Sequence, residues 1–201
     1  MYSPPYNRLE DRAELVAFMR ANNFPVLVTG LAGKLHASHL PSMVHEEGEQ
    51  LVIDMHMAFN NPQWSEFLDE EALVIFTGPH AYISPRWYEE KERVPTWNYT
   101  AVHAYGVPQK VDDPKAKHAS QRRLVEYMDP EWLPKFDALS EKYVAMMLEG
   151  IVNFRIPVAR TETRWKLSQN RSRREMELIA EALDKQGEGA LAALTRKHLP
   201  R

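Results

Sequence analysis

The chain has 201 residues, a formal net charge of -3 and no cysteine. That length fits one domain of generous size, and the charge gives no overall attraction to nucleic acid or to an anionic membrane. The absent thiols remove disulfides, thiolate zinc sites, iron–sulfur clusters and a cysteine nucleophile, which suits a reducing compartment.

Residues 1–6 are rich in proline and read as an extended arm. Arg8, Glu10, Asp11 and Glu14 leave no apolar core for a signal peptide. No apolar run approaches the roughly 20 residues that span a bilayer, so a soluble, cytoplasmic protein is expected. Asn7 or Asp11 can cap a first helix whose apolar side carries Leu9, Leu15, Val16, Phe18 and Met19. Strands are expected at 24–29, 35–44 and 50–57, joined by turns at 30–33 and 46–49 into an antiparallel meander. Asn61 before Pro62 starts a short helix, with Trp64, Phe67 and Leu68 at i, i+3 and i+4 as its buried face.

Two further strands, 72–84 and 97–107, flank a looped or helical lid around Trp87-Tyr88. Residues 112–142 are polar and helical in period, broken by Pro114, Pro130 and Pro134. Ile151–Pro157 alternates as a strand. The pattern Ser172-x-x-Glu175 is a capping box, so the chain turns helical again near 170–172 and continues to about 198. The expected fold is mainly β with helical additions: an antiparallel barrel of six or seven strands, a helical insertion at about 112–149 and a helical tail at about 171–198. No G-x-G-x-x-G marks a doubly wound nucleotide fold.

Two stretches carry candidate chemistry. Seven of the chain's twenty Phe, Trp and Tyr residues fall within 76–105, a density that makes either a core or a set of flat faces for a planar ligand. The segment 160–174 sets six cations, Arg160, Arg164, Lys166, Arg171, Arg173 and Arg174, against Glu162 alone. Cations at a helix start oppose its dipole, and a bound anion resolves that conflict; a solvated basic face is the alternative. Direct DNA contact by the same helix is weakened by its acidic continuation. His36 and His39 are too far out of phase on a strand to share a metal, so no metal site is expected.

Five runs of sequence together resemble the PaiB family of FMN-binding negative transcriptional regulators. They are Ala37-Ser-His-Leu-Pro41, His56-Met-Ala-Phe-Asn-Asn-Pro-Gln-Trp64, the stretch 78–88, the stretch 94–106 and Lys166-Leu-Ser-Gln-Asn170. The resemblance implies an FMN-binding split barrel over residues 1–201 and a homodimer with flavin at its interface. It implies walls for the flavin ring from Trp97, Tyr99 and Trp64, and backbone groups for its rim from His39, Leu40 and Pro41. Asn60, Asn61, Lys166, Ser168, Gln169 and Arg171 would then surround the ribityl chain and phosphate. One departure stands out: no Lys or Arg lies between Lys34 and Arg86, so phosphate neutralisation would lean on Lys166 and Arg171. Three roles stay open: a flavin-binding regulator, a flavin-dependent oxidoreductase acting on a small molecule or haem, and a dimer that works by protein contact alone. Catalytic residues are not identified.

Overall fold

A computed structural model describes residues 1–31, 33–67, 70–89 and 92–200. The Asp11 carboxylate accepts the Glu14 N–H at 2.8 Å and opens α1 (Arg12–Ala21). Leu15, Val16 and Met19 form its buried stripe. β1 (Val26–Leu31) and β2 (Lys34–His39) make a hairpin in register Val26↔His39 through Leu31↔Lys34. Gly33 sits in its turn at φ 79°, a conformation that glycine adopts without a Cβ penalty.

The strand expected at 35–44 is two strands, broken at Leu40-Pro41. Pro41 has no N–H to give a ladder. The Leu40 N–H instead donates to the Pro25 carbonyl at 3.2 Å, and the Ser42 N–H to the Asn23 carbonyl at 2.9 Å. The chain thereby leaves one sheet and enters the other as β3 (Ser42–Glu47), which pairs with β4 (Gln50–Ala58).

Beyond a 3-10 turn at Pro62–Glu66 come β5 (Ala72–Ile83), β6 (Thr96–Gly106) and β7 (Gln109–Val111). The expected insertion is three helices, α2 (Pro114–Met128), α3 (Leu133–Asp137) and α4 (Glu141–Glu149). β8 (Ile151–Pro157) and β9 (Arg160–Lys166) then precede α5 (Arg173–Lys185) and α6 (Gly189–Lys197). The sheets have the orders β2-β1-β5-β6-β9 and β3-β4-β8-β7. Nine strands therefore stand among the described residues where six or seven were expected. β7 is only three residues long, and β9 was concealed by its charges. Its alternation of Arg160, Glu162, Arg164 and Lys166 with Thr161, Thr163 and Trp165 is a strand's period of two.

The chain groups into two compact units. The first contains Met1–Phe18, Phe76–His103 and Thr161–Arg201. Its core includes Phe76, Ile83, Val102, Trp165 and Leu167, with Phe18 tilted on Trp165 at 4.7 Å. α5 contributes Met176, Ile179, Ala180 and Leu183, a stripe at helical spacing, and Ser172 caps it by accepting the Glu175 N–H at 3.1 Å. The second unit contains Met19–Ile75 and Ala104–Arg160. Ile53, Met55 and Met57 of β4 point into its core with Val152, Phe154 and Ile156 of β8. Strand alternation turns Asp54 and His56 to the opposite side, where the Asp54 carboxylate accepts from Arg123 of α2 at 3.2 Å.

Candidate functional site

In the first unit the candidate residues gather where β6 and the end of β9 meet a turn. Trp97 and Tyr99 share one side of β6 by alternation. Trp97 is 54% exposed, with the His80 ring at 6.3 Å and the Tyr82 ring edge-on at 6.2 Å. Three neighbouring rings thus form an open aromatic platform. The Lys166 ammonium donates to Thr96 Oγ1, one residue before Trp97. Burial, and secondarily the Arg164 guanidinium, push the Lys166 pKa below the ordinary lysine value. Its charged form is under-compensated, as a cation awaiting an anion would be. Arg171 places its guanidinium 5.0 Å over the Tyr88 ring. Neither Lys166 nor Arg171 makes an ion pair among the described residues.

Ser168 and Gln169 serve the turn itself. Ser168 holds φ 67°, uncommon for a residue with a Cβ. Its hydroxyl is bracketed by the Asn98 amide, accepting from Nδ2 at 3.0 Å and donating to Oδ1 at 3.1 Å. Gln169 Oε1 accepts the Leu167 N–H at 2.8 Å, and its Nε2 donates to the Trp165 carbonyl. These bonds fix the backbone from which Lys166 and Arg171 project.

In the second unit, the corner between β2 and β3 carries His39, Leu40 and Pro41. The His39 ring stacks on Phe24 at 5.9 Å, while Leu40 is buried and spends its N–H on Pro25. Asn61 caps the 3-10 turn as expected, its Oδ1 accepting the Gln63 N–H at 3.0 Å. Its Nδ2 donates to Ser38 Oγ at 3.0 Å. Asn60 is exposed with no partner among the described residues.

The turn buries a different residue from the one expected. A 3-10 turn lacks the α-helical face that would sink Trp64 and Phe67, both half-buried, and Leu68 lies outside the described residues. Gln63 goes inward instead, 2% exposed, donating to Leu27 O at 3.2 Å, Thr29 Oγ1 at 3.1 Å and His36 O at 3.3 Å. Trp64 donates Nε1–H to Phe59 O at 2.7 Å and carries Lys110 Nζ 5.0 Å above its ring. A cation missing from the sequence between Lys34 and Arg86 thus arrives in space from β7.

The rival readings find little geometry. Among the described residues no group of three or more His, Asp or Glu is placed to hold a metal. Arg173 donates to the Pro200 carbonyl at 2.6 Å, and Arg174 lies 3.7 Å from Glu89, so both cations of the α5 start have partners. Among the described residues no helix is long and apolar enough to cross a membrane.

Two antiparallel sheets with appended helices give the chain the architecture of the FMN-binding split barrel. The family model described as "Putative FMN-binding domain" matches residues 1–160. The protease synthase and sporulation protein PAI 2 of Bacillus subtilis (strain 168) is 38% identical over 186 residues, 91% of this chain and 89% of that protein. The chain belongs to this FMN-binding family, and FMN is the cofactor that membership indicates. The fold is shared with the flavocytochrome Anf3 from Azotobacter vinelandii (TM-score 0.63, 14% identity, 80% of this chain and 69% of that one). It is shared also with the FAD and heme binding protein from Mycobacterium smegmatis (TM-score 0.62, 13% identity, 80% and 73%).

The residues present fit FMN. Its isoalloxazine is flat and largely apolar, suited to the Trp97 platform. Its phosphate carries about -1.5 to -2 charges at pH 7, suited to cations without carboxylate partners. Lys166 and Arg171 lie beyond residue 160, outside the stretch that the family model matches.

Proposed function

We propose that the chain is a homodimeric, FMN-binding regulator of transcription of the PaiB type. The observation that carries the flavin reading is that Lys166, bonded to Thr96 beside the exposed ring of Trp97, makes no ion pair among the described residues. In this reading Lys166 and Arg171 take the phosphate, while Trp97 and Tyr99 wall the ring. For the second unit the assignments rest on the resemblance alone: backbone groups of His39, Leu40 and Pro41 for the polar rim, Trp64 for the ring, and Asn60 and Asn61 for the ribityl chain or phosphate. Ser168 and Gln169 act by holding the turn. Bound FMN supplies a redox-active, visibly coloured ring; the protein's part is to bind, orient and partly dry it.

Dimerisation is supported by β2, an edge strand exposed along nearly its whole length with Leu35 77% exposed, and by Phe24, 62% exposed. Unpaired strand edges and exposed apolar side chains are surfaces that partners cover. The regulatory role rests on membership beside a relative whose name concerns protease synthesis and sporulation. The test is a visible-range titration of the purified protein with FMN, followed by transcript levels in a deletion strain. Complementation by the wild type but not by the Lys166→Ala/Arg171→Ala variant is expected. A wild type that gives no flavin spectrum after loading overturns the flavin reading, and unchanged transcripts in the deletion strain overturn the regulatory one.

A further inference from the structure

The helices α2, α3 and α4 lie on the side of β4 occupied by Asp54 and His56. Beneath them is a cavity of about 300 Å³, walled by Phe136, Tyr143, Val144, Met147 and nearby aliphatic side chains, into which His56 and Gln121 project. No charged side chain among the described residues lines it. Its wall is tied down by Lys117 of α2, whose ammonium donates to the carbonyls of Leu148 at 2.8 Å and Ile151 at 3.0 Å, both at the cavity.

The imidazole and the carboxamide distinguish this space from a packing defect. Both His56 and Gln121 line it, and neither hydrogen-bonds through its side chain to any described residue. Voids left by imperfect packing are apolar and dry, whereas polar groups facing a cavity call for partners. Burial lowers the His56 pKa below its ordinary value of 6.5. The imidazole is therefore neutral at pH 7, with one nitrogen donating and one accepting, and the Gln121 carboxamide has the same dual character.

We propose that this cavity binds a small, uncharged, flat molecule bearing a carboxamide- or lactam-like edge, at a site apart from the residues assigned to flavin. The apolar, partly aromatic wall takes the flat body, and His56 and Gln121 take the edge. An uncharged ligand is favoured because no described side chain lining the site carries a charge to pair with one, and partly desolvating an unpaired charge is costly. The volume sits at the small end of ligand pockets, which run from roughly 300 to 1,000 Å³.

The test uses benzamide as probe and benzoate as its charged counterpart, measured by calorimetry at pH 7.5 on FMN-loaded, full-length protein. Saturable benzamide binding and no benzoate binding are expected for the wild type. His56→Leu and Gln121→Leu should each weaken benzamide about tenfold, the loss of one hydrogen bond whose partner stays buried. Val144→Trp, which fills the cavity, should abolish it while leaving the flavin spectrum and the far-ultraviolet circular dichroism unchanged. Gln121→Leu is the check if Val144→Trp fails to fold. No saturable benzamide binding to the wild type overturns the proposal, as does equal affinity in the wild type and either the Val144→Trp or the Gln121→Leu protein.

Discussion

Lys166 gives the flavin reading a pH signature. Its pKa in the folded protein lies below the ordinary lysine value of 10.5 because burial and Arg164 disfavour the ammonium. Between those two values the unfolded chain binds the proton more readily, so this group's contribution to stability without FMN rises with pH across that window. A phosphate beside it reverses the preference and draws a proton onto Lys166. FMN affinity is therefore expected to fall as pH rises through the Lys166 pKa, and Lys166→Ala should flatten that slope in fluorescence titrations. At neutral pH the Lys166→Ala/Arg171→Ala variant should lose at least about tenfold in affinity, since charge-assisted bonds contribute roughly 1.5–3 kcal/mol each. Gln63 poses a different test. Replacing it with Leu strips the Leu27, Thr29 and His36 acceptors of a buried donor and should cost about 1–3 kcal/mol in urea denaturation. The resemblance assigned Lys166 and Arg171 to phosphate, and the basic segment that holds them was legible from charge alone. Gln63 was not, because its role depends on a 3-10 turn folding back against the β1–β2 hairpin, which no local pattern reports.

At the scale of elements, helix starts were the best-read features. Asp11, Asn61 and Ser172 cap where the sequence placed them, because a cap is a contact between residues two or three apart. Strand identity was read less well where a non-local bond decides it. The break at Leu40-Pro41 depends on the carbonyls of Pro25 and Asn23, some 15 to 20 residues upstream. β9 depends on a sheet to accept it. Gly106, near the end of β6, is another such long-range contact. A methyl group there would lie 2.2 Å from the Pro157 carbonyl oxygen, with little room for the backbone to give. Gly106→Ala is expected to destabilise by about 1–3 kcal/mol through overpacking, measured as a lowered denaturation midpoint with unchanged m-value.

For the molecule as a whole, the prediction concerns assembly. Sedimentation at micromolar concentration should give a dimer, and Leu35→Asp, which places a charge on the exposed edge strand, should shift it toward monomer without lowering the thermal midpoint much. A wild-type monomer would remove the dimeric part of the reading. The barrel itself was legible because short alternating segments separated by turns leave few alternatives to an antiparallel arrangement. The distribution of strands between two sheets was not, since both orders join strands distant in sequence.

β7 and β8 are antiparallel neighbours with Val111 opposite Asn153. The chain that bears α2, α3 and α4 therefore leaves and re-enters the sheet at adjoining points, so it is a hairpin loop that has grown. Loops whose ends meet can lengthen, shorten or be exchanged at small entropic cost, each doubling adding only about 0.6 kcal/mol. Descendants of this scaffold could thus swap one receptor bay for another while inheriting the barrel unaltered.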